Sequence, residues 1–545
     1  MANRGADALA RALARSGVTR VFTLSGNHIM PLFDAALDAG VSLIHTRHEA
    51  AAVHMADAWA RLTQEPGVAL VTGGPGHANA VGALYTARMA ESPVLLLSGH
   101  APRDQLGAGA FQEMAQAEIA APLAKASWVS EGAESVAADF ERAMAIAIGG
   151  RPGPVHLSLP VDCLENRATS SAPVPSHSAP AHEAHVPSDG KFAEAMLDRL
   201  RRAKRPMILA GPSSATKPGR DRLARLEAAS GIPAVAMESP RGIADPSLGA
   251  FAEMLAQADC VLLLGKRLDF TLKFGKPPAF DAACEFMQVD AEREELDRTG
   301  RAVGARLTAH AWADGGGACE ALIRIAREAA RSPWLAEVRA AIAYRPAAWD
   351  ALESARASIH PVQALRPLQA LLDAHAESIF ISDGGEFGQW AQACLAAPHR
   401  VINGVAGSIG AALPFAVAAR LAKPGVPIVA AMGDGTFGFH PAEIDTAMRY
   451  GLGFVAIVGN DARWNAEYQI QLREYGRERA RGCELAATRY DQVAVAFGGH
   501  GEHVTDAAEV LPAARRAHAS GLPACVNIMI EGLPAPSIRR GAWDA

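Results

Sequence analysis

The sequence predicts an α/β protein built from three doubly wound parallel-sheet domains. Three observations lead there. The chain has 545 residues, half of them hydrophobic, which is too long for one compact core and suits about three domains. Its apolar segments are short runs closed by Gly or Pro and separated by helix-like stretches, as expected of buried parallel strands joined by crossover helices. These runs fall into three series.

The first series comprises Val21-Phe22-Thr23-Leu24, Ser42-Leu43-Ile44-His45, Val68-Ala69-Leu70-Val71, a run from Pro93 to Ser98 and a run from Gly153 to Pro160. It defines an N-terminal domain over 1–167. Residues 168–189, rich in Ser, Ala, Pro and His without periodicity, read as a surface linker. A middle domain over 190–332 carries runs at Arg205–Gly211, Ile232–Ala236, Cys260–Gly265 and Phe286–Asp290. Residues 333–360 look largely helical. The third domain, 361–545, has runs at Ser378–Asp383, Ile428–Met432, Phe454–Val458 and Ala524–Ile530. No short tandem repeat is present.

Composition excludes several classes. The net charge is −6 with 20% charged residues, and Lys and Arg are scattered, so no basic stripe exists for a nucleic-acid backbone. Asp7 interrupts the only candidate for a signal sequence, and Gly, Pro or a charge breaks every apolar run short of a bilayer span. A cytoplasmic protein with no membrane partner is expected. Seven widely spaced cysteines (Cys163, Cys260, Cys284, Cys319, Cys394, Cys483, Cys525) contain no CxxC pair, and reduced buried thiols are expected.

The sharpest motif is Gly433-Asp434-Gly435-Thr436-Phe437, after an apolar strand and before a helix. Glycines allow close backbone approach to a diphosphate, a helix start offers unpaired N–H groups, and Asp434 supplies a hard oxygen for a divalent cation. Asn460-Asp461 follows the next apolar run. Adjacent parallel strands deliver their carboxyl ends to one sheet edge, so Asp434 and Asp461 can meet on one Mg²⁺ there.

Together these segments resemble the fingerprint of thiamine-diphosphate enzymes, in which Gly-Asp-Gly is followed some two dozen residues later by Asn-Asn. The resemblance implies that Asp434, the Asp461 side chain and the Arg463 carbonyl hold Mg²⁺ against the cofactor diphosphate. Asp461 departs from the usual Asn, adding a charge that strengthens metal binding and opposes the diphosphate. Upstream, Thr46-Arg47-His48-Glu49-Ala50-Ala51-Ala52 resembles the segment whose acid sits beside the aminopyrimidine, with Glu49 in that place. Gly73-Gly74-Pro75-Gly76-His77-Ala78-Asn79 resembles the loop beside the pyrimidine, with Pro75 and Asn79 as contacts. Gly407-Ser408-Ile409-Gly410 resembles the segment that wedges an apolar side chain, here Ile409, beneath the cofactor. Asp383-Gly384-Gly385-Glu386 follows a strand, and Gly384 and Glu386 are placed to cradle the diphosphate. The three domains are then pyrimidine-binding, middle and diphosphate-binding, in the order of the acetolactate-synthase-like branch. That branch implies a homodimer at minimum, with a homotetramer common.

Within the branch, Gly109–Glu113, Arg267–Pro278, Phe437–Phe439 and Val526–Glu531 look closest to 2-hydroxyacyl-coenzyme A lyases and oxalyl-coenzyme A decarboxylases. The implied reaction cleaves a 2-hydroxyacyl-coenzyme A to an aldehyde and formyl-coenzyme A, or runs in reverse. Arg267 and Lys273 would meet the phosphates of coenzyme A or ADP in the middle domain, and Asp290 the ribose. His28 and Gln112 are candidates for orienting the substrate's hydroxyl or carbonyl. The alternatives are a carboligase of free 2-oxo acids or aldehydes, resembling acetolactate synthase or benzaldehyde lyase, and a catalytically silent scaffold on the same fold.

Overall fold

The computed structural model describes residues 3–168, 191–326, 332–352 and 358–540. Apart from Ala168, the predicted linker lies outside them. Two compact units are present: the first holds Met1–Glu183 with Val417–Ala422 and Asp445–Tyr450, and the second holds the remainder.

The first unit carries one six-stranded sheet made of β1 (Arg20–Thr23), β2 (Ser42–His45), β3 (Gly67–Val71), β4 (Val94–His100), β5 (Ser127–Val129) and β6 (Val155–Pro160). All pairings are parallel, in the order β2-β1-β3-β4-β6-β5. The central strands β3, β4 and β6 are buried along their whole length, which explains why they read as continuous apolar runs. Leu70, Leu95, Leu97 and Leu157 form a core with Leu9, Leu13 and Phe140 from flanking helices.

Two fully buried histidines sit in this unit. His77 bonds Ser98 through Nδ1 at 2.9 Å, His156 bonds Ser127 through Nδ1 at 2.8 Å, and the ring centroids are 4.6 Å apart. Burial pushes the His77 pKa down to about 4, and burial with the neighbouring His77 holds His156 well below its usual value. Because the unfolded chain protonates first, the stability from these neutral rings is complete above about pH 6.5 and is lost as pH falls. The melting temperature should therefore fall between about pH 7 and pH 5, by up to roughly 1.4 kcal/mol of stability per pH unit per ring. His156→Leu should flatten that dependence, and Ser127 keeps its bond to the Ala117 carbonyl.

The second unit carries two sheets. One contains β7 (Pro206–Ala210), β8 (Ala234–Ala236), β9 (Cys260–Leu264), β10 (Glu285–Asp290) and β11 (Leu307–Trp312), all parallel, in the order β11-β10-β9-β7-β8. Both of its faces are covered. Ile208, Leu262 and Met287 pack with Leu197 and Leu322, while Leu209, Leu263 and Phe286 pack with Phe251 and Trp334. The other contains β12 (Ile379–Ser382), β13 (His399–Ile402), β14 (Ile428–Gly433), β15 (Phe454–Asn460), β16 (His500–Val504) and β17 (Pro523–Met529) in the parallel order β13-β12-β14-β15-β17-β16.

Counted within each sheet, the first and third share the order 2-1-3-4-6-5, and the middle sheet has 2-1-3-4-5. Three doubly wound parallel sheets are thus present. The segment expected to be helical contains the helix Pro333–Ala343 and a short 3₁₀ turn, Ala347–Ala351; Pro333 opens the helix and Ser332 caps it by accepting from Leu335 N at 3.1 Å. Among the described residues no helix is long and apolar enough to cross a membrane.

Candidate active site

Strand order reverses between β12 and β14, and in an open parallel sheet ligands bind at the carboxyl ends beside such a switch. There the second unit holds a cavity of about 230 Å³, whose lining includes Gly384, Glu386, Gly407, Ile409, Gly433, Asp434, Gly435, Thr436, Asp461 and Arg463. The sequence-predicted diphosphate residues converge, with one exception. Ser408 is absent from the lining, and its carbonyl accepts from Asn403 Nδ2 at 2.9 Å.

Asp434 opens a single helical turn, Asp434–Phe437, directly after β14. Its carboxyl group is 2% exposed, and Oδ2 has no hydrogen-bond partner among the described residues. Burial pushes its pKa up to about 6, against the N–H groups of Gly435, Asp434 itself, Arg463 and Ala462. Asp461 is pushed up to about 7 by burial and then by the charge of Asp434. A buried carboxyl group with an orphaned oxygen, beside a half-buried one whose charge it disfavours, fits a hard divalent cation. The described residues contain no cluster of three or more His, Cys, Asp or Glu side chains that could hold a metal, so further ligands would be carbonyl or phosphate oxygens.

Asn460 serves the turn rather than the cavity. Its Nδ2 donates to the Thr488 carbonyl at 2.9 Å and to Asn527 Oδ1 at 3.1 Å, and its Oδ1 accepts from Ala462 N at 3.2 Å. This holds Ala462 at φ +54°, a left-handed conformation that non-glycine residues seldom adopt. Two glycines make room beside the cavity. A Cβ on Gly384 would come within 2.6 Å of Ile409, and one on Gly435 within 2.6 Å of the Trp464 ring.

Asp383 is an organiser whose part the sequence did not reveal. Its buried carboxylate accepts from Gly384 N at 2.7 Å, Gly410 N at 3.0 Å and Ala412 N at 3.0 Å, tying the Gly407–Gly410 segment to the end of β12. Burial pushes its pKa up to about 6 against these three donors. Asp383→Ala would strand three buried N–H groups and should cost about 3 kcal/mol or more, read as a lower melting temperature together with weaker cofactor affinity. Glu386, expected to cradle the diphosphate, is bound to Arg241 at 2.9 Å and accepts from Ala535 N at 3.1 Å.

In the first unit the same switch lies between β1 and β3. Glu49 begins the helix Glu49–Thr63, is 8% exposed, and accepts from Asn79 Nδ2 at 3.1 Å. Pro75 begins the helix Pro75–Met89 and is exposed. A Cβ on Gly76 would lie 3.4 Å from Glu49 Oε1, so this loop closes directly over the acid. His28 is buried, and its Nδ1 lies 3.2 Å from Thr72 Oγ1. The exposed Phe111 ring stacks on it with centroids 6.1 Å apart. Gln112, at φ +59°, lies against Gly74, and Gln116 fixes that loop by accepting from Gly74 N at 2.8 Å and donating to the Gly99 carbonyl at 3.0 Å. Neither Thr72 nor Gln116 stands out in the sequence, because a lone polar residue near a glycine turn carries no pattern.

The middle-domain candidates are placed differently from the sequence expectation. Arg267 pairs with Glu292 at 3.1 Å and Glu295 at 3.2 Å. Asp290 is fully buried, accepting from Glu292 N at 2.9 Å and Gln288 Nε2 at 3.3 Å, so it closes its own strand end instead of facing a ribose. Lys273 is exposed at φ +48°.

The comparisons with known proteins agree with this arrangement. The N-terminal thiamine pyrophosphate (TPP) binding domain of TPP enzymes matches residues 3–119, their central domain 193–311 and their C-terminal TPP binding domain 383–528. A probable acetolactate synthase of Mycobacterium bovis is 32% identical over 96% of this chain and 95% of its own length. The human 2-hydroxyacyl-CoA lyase 2 is 30% identical over 96% of this chain and 90% of its own, and the mouse 2-hydroxyacyl-CoA lyase 1 is 28% identical over 99% and 95%. Carrying the three domains of that family in order, the chain belongs to the thiamine pyrophosphate enzymes and is a thiamine-diphosphate-dependent enzyme of the acetolactate-synthase-like branch.

Proposed function

We propose that the enzyme cleaves a 2-hydroxyacyl-coenzyme A to an aldehyde and formyl-coenzyme A, or condenses the two. The observation that carries this reading is the chemistry of the first-unit switch loops. Ser25–His28, Thr72–Asn79 and Phe111–Gln112 present hydroxyl, amide and imidazole groups, while the neighbouring cations Arg47 and Arg103 are paired with Asp445 and Asp162. The His28 pKa is held below its usual value by burial and then by His100. Such neutral donors suit a thioester carbonyl and a hydroxyl better than a free carboxylate, which calls for a cation.

Bound thiamine diphosphate supplies an electron sink next to the substrate carbonyl. The chain supplies the rest. Asp434, Asp461 and the Arg463 carbonyl hold Mg²⁺, Glu49 holds the proton beside the pyrimidine with Asn79 fixing its orientation, and His28 with Gln112 orient the substrate oxygens. Of the middle-domain stretch, Lys273 is an exposed cation available to a coenzyme A or ADP phosphate. The same reading includes a homodimer or homotetramer in the cytoplasm, in which Glu49 of one copy serves the cofactor held by another.

A second reading, a carboligase of 2-oxo acids or aldehydes, is favoured by the likeness to the acetolactate synthase. Incubation with formyl-coenzyme A plus an aldehyde, and in parallel with pyruvate, followed by mass analysis, separates the two. A 2-hydroxyacyl-coenzyme A product supports the lyase, and acetolactate from pyruvate alone replaces it with the second reading.

A further inference from the structure

Three glycines are packed around the contact between Thr72 and His28. A Cβ on Gly26 would overlap the Thr72 side chain, one on Gly76 would lie 2.8 Å from Thr72 Cγ2, and one on Gly99 would lie 2.6 Å from His28 Cβ. Thr72 is thus wedged between two stretches of backbone, and its hydroxyl is left facing Nδ1 of His28 at 3.2 Å. The two residues follow β1 and β3, neighbours at the switch point, whose register pairs Thr23 with Leu70. A contact that requires three residues without side chains is a built feature of this edge.

The ring can bear its single neutral-state hydrogen on either nitrogen, and its neighbours decide which. Among the described residues His28 Nδ1 is the one hydrogen-bond partner of the Thr72 hydroxyl, whose hydrogen therefore finds an acceptor only by being donated to that nitrogen. We propose that Thr72 is a positioning residue: its hydroxyl donates to His28 Nδ1, holding the neutral imidazole in the Nε2–H form so that Nε2 offers a hydrogen bond to the substrate oxygen. In the other form Nε2 would present a lone pair, which repels a carbonyl oxygen. The inference rests on the proposed role of His28 and adds what sets its polarity. Phe111, stacked on the same ring, keeps the imidazole plane in register with the loop that carries Gln112.

Thr72→Val keeps both branches of the side chain against Gly26 and Gly76 and removes only the hydroxyl donor, whereas Thr72→Ser keeps the donor. NMR of isotope-labelled histidine nitrogens in the cofactor-free protein, with His28→Gln to identify the signal, reads the form directly. The wild type and Thr72→Ser should show one Nε2–H form, and Thr72→Val a mixture. With cofactor and 2-hydroxyacyl-coenzyme A, Thr72→Val should lower kcat about tenfold with little change in KM, and Thr72→Ser should recover most of the loss. An Nδ1–H form in the wild type, or an unchanged Nε2–H form in Thr72→Val, overturns the proposal. Absence of turnover with any thioester would instead overturn the lyase reading, and the NMR result would still decide the role of Thr72.

Discussion

Replacing Asp434 with alanine is expected to abolish binding of thiamine diphosphate at micromolar concentrations. Changing a group that merely orients a metal ligand commonly costs ten- to a hundredfold in metal affinity, so removing a ligand should weaken binding by at least about a hundredfold. The structure sharpens the expectation, because the orphaned Asp434 oxygen is buried and finds no other partner among the described residues. Calorimetric titration with Mg²⁺ and thiamine diphosphate measures it, and wild-type affinity in the variant would remove Asp434 from the metal site. Asp461→Asn should lose less, since it removes one charge while keeping an oxygen and also relieves repulsion of the diphosphate.

Glu49→Gln should leave cofactor affinity within a few-fold of wild type and lower turnover by about a thousandfold, the range associated with losing a positioned acid or base. Glutamine preserves shape and can still accept from Asn79, so the helix start and the loop at Gly76 stay in place. Only the carboxyl group's ability to take up and give back a proton is lost. A fall of less than tenfold in steady-state turnover would reduce Glu49 to an acid that stabilises a helix start through the macrodipole.

Among the described residues thirteen of the seventeen strands were legible as apolar runs, and the four that were not share a position. β5, β11, β13 and β16 all lie at sheet edges. An edge strand buries less of its length, so Ser127-Trp128-Val129 and His500–Val504 mix polar and apolar residues and resemble loops in the sequence. The cofactor end of the site was legible because glycines and acids at strand ends form a pattern in one dimension. What escaped was assembled by folding: Thr72 reaching His28, Asp383 reaching Gly410, and Gln116 reaching Gly74 across 42 residues. Arg267 misled for the complementary reason. A cation beside a strand end invites a phosphate, but two glutamates on a following helix had already claimed it.

The shared strand order of the first and third sheets makes their loops directly comparable. Glu49 comes after the second strand of one frame, where Asn403 and the Gly407–Gly410 segment stand in the other; Thr72-Gly73-Gly74 occupies the place that Gly433-Asp434-Gly435 takes. One solution to packing a parallel sheet is used twice, and a few residues at the carboxyl edge turn each copy into a different tool. For protein engineering this separates chassis from cassette: exchanging edge loops between equivalent positions alters what a frame handles while leaving untouched the buried strands on which its stability rests.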